Sequence, residues 1–296
     1  MKYCLVSKIL DFLSILIRGL PEFCIEAFAR GMAYVWFFVI RFRVEIILKN
    51  LEIAYAQTKS KKEIQELAIQ NLKHYVLFVL EVLMYRTLSV SNFQSRFEFH
   101  SQDVLKVKQA LDAGENVLIL TAHLGNFEWL AAWTPLVGVN LAMVIRPLKS
   151  TVWEKMISEQ RTRTGVKLVS PTGSGREIFR LLGEHVAIAI IFDQLKRPPQ
   201  GYFVPFFGKL AGTMKSLAVL TEKKEAKVFP VYSERTSFGR MKVHMEDAIF
   251  YKRVGTKEEN RYAYTKECNL KIEEMIRKVP EQWFWIHDRW LDSPEG

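Results

Sequence analysis

Three short runs without a charged residue govern what this chain can fold into: residues 116–121 (NVLILT), 186–192 (VAIAIIF) and 228–233 (VFPVYS). A strand with one face in water alternates apolar and polar side chains, whereas a strand covered on both faces does not. These runs therefore read as interior strands of a parallel sheet. Residues 141–145 (LAMVI), 167–169 and 242–245 read as further strands, and 96–99 (RFEF) as a short alternating one. Between them lie helical stretches at 102–112, which stops at Gly114, and at 122–133, 151–164, 175–183 and 213–221, with a closing helix over 262–279. Strand and helix alternate from about residue 115 to 235. The expected fold is α/β, a mostly parallel central sheet flanked by helices. Two helices precede it, 44–58 and 61–88; in the second, Ile64, Leu67, Ala68, Leu72, Tyr75 and Val76 recur near the 3.6-residue period. Residues 44–296 are thus expected as one α/β domain, with a helical lead-in over 44–95 and a core from about 96. A hydrophobic N-terminal segment, 1–43, comes before it.

That N-terminal segment raises the question of a membrane. The run 3–17 is broken by Lys8 and Asp11, and 32–40 (MAYVWFFVI) is fenced by Arg30, Arg41 and Arg43. No uninterrupted apolar run reaches the ~18 residues of a spanning helix. No small-residue cleavage site suggests a removed leader. Either these are helices buried in a globular core, or they are interfacial or obliquely inserted, with aromatic faces in the headgroup zone and arginines on phosphates, a single N-terminal span with Lys8 near one interface being a sub-case. The aromatic share of 12% favours the second, a helical, membrane-associated N-terminal region. Three cysteines, Cys4, Cys24 and Cys268, are odd in number and lack metal-ligand spacing, as in a reduced, cytoplasm-facing protein. With 49% hydrophobic and 25% charged residues the chain is no disordered tail, and its net charge of +10 calls for an acidic partner. Nucleic acid would need a stacking or recognition motif that is missing. Anionic lipid and an acidic carrier protein remain.

Chemistry concentrates in residues 121–129 (TAHLGNFEW), directly after the first buried strand, where α/β sheets place ligands. His123 and Glu128 are five residues apart. On one helix they would diverge by roughly 140°, at 3.6 residues per turn. They meet only if His123 sits in a turn and Glu128 in the first turn of the helix that follows, where the helix dipole favours a carboxylate. Gly125 and Asn126 suit such a turn and cap. A carboxylate on one imidazole nitrogen leaves the other as a base aimed at a hydroxyl. The same spacing also fits a histidine merely satisfied beside a helix cap. Arg146-Pro147 and Asp193-Gln194 end two further strands at the same sheet edge, and residues 201–208 (GYFVPFFG) lay an apolar loop beyond them. Arg146 also reads as a surface ion pair and the loop as simple core cover. His74, His100, His185 and His244 have no partner spacing and read as ordinary; His287 lies in a Trp-rich tail and reads as packing.

HLGNFE with its H-x4-E, then R-P, D-Q, V-P-F-F-G, VFPVYSER (228–235) and PEQWFWIHDRW (280–290) stand in an order that resembles the bacterial lipid A biosynthesis acyltransferases. These are the late lauroyl- and myristoyl-transferase type of the glycerolipid acyltransferase superfamily. The resemblance covers most of the chain. It departs at Asp288, where the family more often carries a basic residue, and at the KRPPQ insert before Gly201. It implies transfer of a fatty acyl chain from a thioester, acyl carrier protein or acyl-CoA, to a hydroxyl of a lipid A precursor or related anionic glycolipid. The setting would be the cytoplasmic face of a bacterial inner membrane, with no cofactor and no metal. It makes His123 the general base, Glu128 its orienting partner and Arg146 an anion contact. Asp193 and Gln194 would shape the site, and Asn126, Phe206, Phe207 and Gly208 would line the substrate pocket. Other readings are a different acceptor (phosphatidylinositol mannoside, ornithine lipid or lysophospholipid), a non-catalytic lipid-binding protein, and a metal-dependent hydrolase.

Overall fold

The computed structural model describes residues 2–145, 150–170 and 174–295. The N-terminal helices α1 (Lys2–Gly19), α2 (Glu22–Val35), α3 (Val44–Tyr55) and α4 (Lys61–Tyr85) precede the sheet, and a π-helical turn (Trp36–Ile40) extends α2. α4 starts where the sequence supplies a capping box. The Ser60 hydroxyl accepts from the Glu63 N–H at 3.3 Å, and the Glu63 carboxylate takes the Ser60 N–H at 2.8 Å. Its buried face, Ile64, Leu67, Ala68, Asn71, Leu72 and Tyr75, follows the helical period. α1 and α2 both pack on α4.

After a short helix α5 (Val90–Gln94) the chain alternates: β1 (Phe97–Glu98), α6 (Ser101–Asp112), β2 (Val117–Thr121), α7 (Phe127–Trp133), β3 (Leu141–Val144), α8 (Thr151–Thr162), β4 (Lys167–Val169), α9 (Ser174–Gly183) and β5 (Ala187–Ile191). A hairpin follows, β6 (Gly201–Phe206) and β7 (Lys209–Met214), then α10 (Ser216–Lys224), β8 (Lys227–Ser237), β9 (Arg240–Met245) and α11 (Lys257–Lys278). The seven-stranded sheet runs β1-β9-β8-β2-β5-β3-β4. All its neighbours are parallel except β8 and β9. β2 lies at its centre with every residue buried. Alternate residues serve opposite layers, as the pleat dictates. Leu118, Leu120, Ile188 and Ile190 pack with α3, α9, α10 and α11, while Val117, Ile119, Ala187 and Phe229 pack with α6 and α7.

Residues 201–208 are a β-strand and turn rather than a loop. Phe206 pairs with Lys209, so the hairpin turns on Phe207 and Gly208, both at positive φ (50° and 79°). That is the two-residue turn whose twist matches paired strands. Pro205 is tolerated because its strand belongs to a separate two-stranded sheet. Phe206 and Phe207 are buried in an aromatic cluster with Tyr55, Trp283, Trp285 and Trp290. Phe206→Ala should therefore act on stability, lowering it by about 3–5 kcal/mol in thermal or denaturant unfolding. An unchanged transition would show that Phe206 is not core.

The C-terminal segment is gripped by the N-terminal helices. Asn50 donates to the Trp285 and His287 carbonyls, and Asn71 to those of Glu281 and Trp283, all at 2.7–2.8 Å. On the outer side of α1 and α2, Phe12, Phe23, Phe28, Phe38, Val39, Ile40 and Phe42 stand exposed. Two helices, Glu22–Ile40 and Lys61–Tyr85, are long and apolar enough to cross a membrane by length and composition. The first runs straight through Arg30, a residue expected to fence it. The second is mostly covered by the protein, as a core helix would be.

Candidate active site

His123 lies just past the C-terminal end of β2. The helix that follows starts at Phe127, not at residue 122, because Asn126 caps it: its Oδ1 accepts from the Trp129 N–H at 3.0 Å. The turn between them is pressed against β8. Gly125 sits at φ +60°, and a Cβ there would lie 1.7 Å from the Ser233 carbonyl oxygen, so no larger residue fits.

The carboxylate on the imidazole belongs to Asp193. Strand register explains this. Thr121 pairs with Ile191 where the two strands end, and two residues further on the Asp193 side chain reaches His123. Asp193 Oδ1 meets His123 Nδ1 at 2.8 Å, and Oδ2 takes the His123 backbone N–H at 2.8 Å and the Trp283 indole N–H at 2.7 Å. Burial favours a neutral Asp193, but the His123 ring and these N–H donors override it and hold its pKa down at about 2. An ionised Asp193 fixes the ring proton on Nδ1 and leaves Nε2 as the free base. Burial likewise disfavours a charged His123, yet the Asp193 carboxylate, with a smaller contribution from Glu128, raises its pKa above the ordinary value. Phe127 and Phe284 flank the ring at centroid distances of 4.7 and 5.4 Å.

Glu128, expected on the imidazole, instead clasps Arg161 of α8 through two parallel hydrogen bonds of 2.5 and 2.8 Å. The pair is half-buried next to the histidine, and Arg161 opposes the charging of His123. Asn126, expected to contact substrate, is fully buried, with its amide nitrogen donating to Glu81 at 2.8 Å. Gln194 is exposed beside Asp193. Phe206 ends β6, and Phe207 and Gly208 form the hairpin turn described above. Arg146 lies outside the described residues. Among those residues no group of three or more His, Cys, Asp or Glu side chains is placed to hold a metal ion.

A narrow slot of about 40 Å³ lies between α6, α7 and the sheet. Ile119, Thr121, Phe127, Ala131, Met143 and Ile191 are among its lining residues. Phe127, one wall of the slot, packs edge-on against the His123 ring.

The family model for bacterial lipid A biosynthesis acyltransferases matches residues 2–292. The chain belongs to that family. No curated protein sequence matches it at a significant level. In this acyltransferase the ordered motifs of the sequence converge on one sheet edge only in part. HLGNFE and the D-Q segment meet there, and Trp283 from WFWIHDRW joins them through Asp193. Arg161 is the residue that sequence reasoning missed. It lies on a polar helix, 33 positions after Glu128, with no local pattern to single it out.

Proposed function

We propose that this acyltransferase moves a fatty acyl chain from an acyl thioester to a hydroxyl of a lipid A precursor or related anionic glycolipid, with His123 as general base. The observation that carries this is the Asp193-held imidazole, its Nε2 free, packed on Phe127, which also lines an apolar slot. The acceptor hydroxyl gives its proton to Nε2 as its oxygen attacks the thioester carbonyl. The C–S bond then breaks and the imidazolium returns the proton to the departing thiolate. The chain involves no acyl-enzyme, since neither serine nor cysteine stands beside the base in 121–129. The Arg161–Glu128 pair supplies a fixed cation next to the reacting centre.

The slot is proposed to hold the acyl chain. Its walls offer methyl and aromatic groups, and about 0.8 kcal/mol is gained for each CH₂ taken out of water. Ala131→Leu, which fills the slot, should shift preference toward shorter chains with transfer retained. Product chain lengths read by mass spectrometry check this, and an unaltered profile places the chain elsewhere. The exposed aromatic faces of α1 and α2 are proposed to seat the protein on the cytoplasmic face of the bacterial inner membrane, where donor and acceptor meet. Acyl carrier protein is the expected donor, acyl-CoA the alternative.

The decisive experiment incubates purified protein with lipid A precursor in vesicles and either acyl carrier protein or CoA thioester. An ester-linked acyl gain on the precursor supports the proposal. Turnover only with phosphatidylinositol mannoside, ornithine lipid or lysophospholipid would move the acceptor. No thioester turnover with any acceptor would leave a lipid-binding protein.

A further inference from the structure

Against the catalytic turn lies a charged cluster that the chemistry above does not use. Glu81 of α4 is fully buried and Arg235 of β8 nearly so. The Glu81 carboxylate is saturated by four donors. Oε1 accepts from Arg235 Nε at 2.6 Å and the Gly239 N–H at 3.1 Å. Oε2 accepts from Arg235 Nη2 at 2.7 Å and Asn126 Nδ2 at 2.8 Å. Arg235 also donates to His74 Nδ1, and His74 in turn is hydrogen-bonded to the Gly125 backbone. Gln282 closes the ring: its side chain brackets the Arg235 backbone at 2.7 and 3.1 Å, and its carbonyl accepts the Gly125 N–H at 3.0 Å.

Stability does not account for such a cluster. Taking an ion pair out of water costs about what the pairing returns, and apolar replacements of similar volume are often neutral or stabilising. The threads that leave the cluster run to Gly125 and Asn126, two and three residues after His123. We infer that Glu81 and Arg235 are positioning residues, which hold the turn, through Asn126, His74 and Gln282, so that His123 meets Asp193 with Nε2 facing the acceptor. This inference rests on the reading of His123 as base. Misplacing a catalytic group by ~1 Å costs on the order of 10²-fold.

Two variants test it on the full chain. Asn126→Ser keeps a good helix cap but cuts the Glu81 thread. The double variant Glu81→Leu/Arg235→Met replaces the ion pair with apolar groups. Both are expected to lower kcat by about 10–100-fold with KM for the acyl thioester within roughly twofold, and to broaden or remove the low-field NMR signal of the His123 Nδ1 proton. A substrate contact at Asn126 would instead raise KM, and a purely structural cluster would lower the unfolding temperature with kcat and the proton signal intact. Either result overturns the inference. Should the double variant not fold, Asn126→Ser decides alone. If His123→Ala is inactive while Asn126→Ser works normally, the positioning role is lost and the base stands. If His123→Ala is itself active, the base reading has failed first.

Discussion

His123→Ala is expected to lower kcat by about 10²–10⁴-fold, the usual contribution of a general base, while the protein stays folded and binds the acyl thioester with nearly unchanged KM. The imidazole makes one side-chain hydrogen bond, to Asp193, and is only 15% exposed. Its removal leaves Asp193 with the Trp283 N–H and the residue-123 backbone N–H, so the buried carboxylate is not orphaned. That is why activity rather than folding should report the loss. Retention of more than about a tenth of wild-type kcat would exclude His123 as the base.

Asp193→Asn should lose a comparable factor and also move the pH profile, which separates it from a packing change. The proposed base acts when neutral, so the wild-type rate is expected to rise with pH. Because Asp193 stabilises the imidazolium, the inflection lies above the ordinary histidine value. The substitution removes that charge while burial remains, so the inflection should fall. An asparagine N–H aimed at Nδ1 would also place the ring proton on the wrong nitrogen, the reason such a change costs about 10⁴-fold in serine proteases. The double variant with His123→Ala should lose far less than the product of the two factors, since the pair acts as a unit. A lower rate with an unmoved inflection would mean that Asp193 does not tune the base.

What could be read in the sequence follows from the range of the interaction concerned. NVLILT and VAIAIIF announced buried parallel strands because burial on both faces leaves its mark on each residue in turn. The site edge was legible for the same reason, as strands of a parallel sheet end together. The partner of His123 was not. Glu128 is near in sequence, Asp193 is 70 positions away, and only the register of β2 against β5 brings it in. The clasp between Glu128 and Arg161 depends on how α8 lies against α7. Residues 201–208 misled because proline and glycine punctuate loops and tight hairpins alike. Their phenylalanines signalled burial correctly, but burial against a tail some 80 residues downstream looks the same as burial against a ligand.

The hold that α3 and α4 keep on residues 281–287 has a consequence for synthesis. Trp283 clamps Asp193, Phe284 covers the imidazole and Gln282 ties down Gly125, so the site takes its last parts from a segment translated more than 150 residues after His123. While that segment is still inside the ribosome, His123 and Asp193 have been made but the indole clamp and the aromatic cover have not. Interrupted translation products should therefore be inert protein, carrying the proposed base without the parts that hold and cover it.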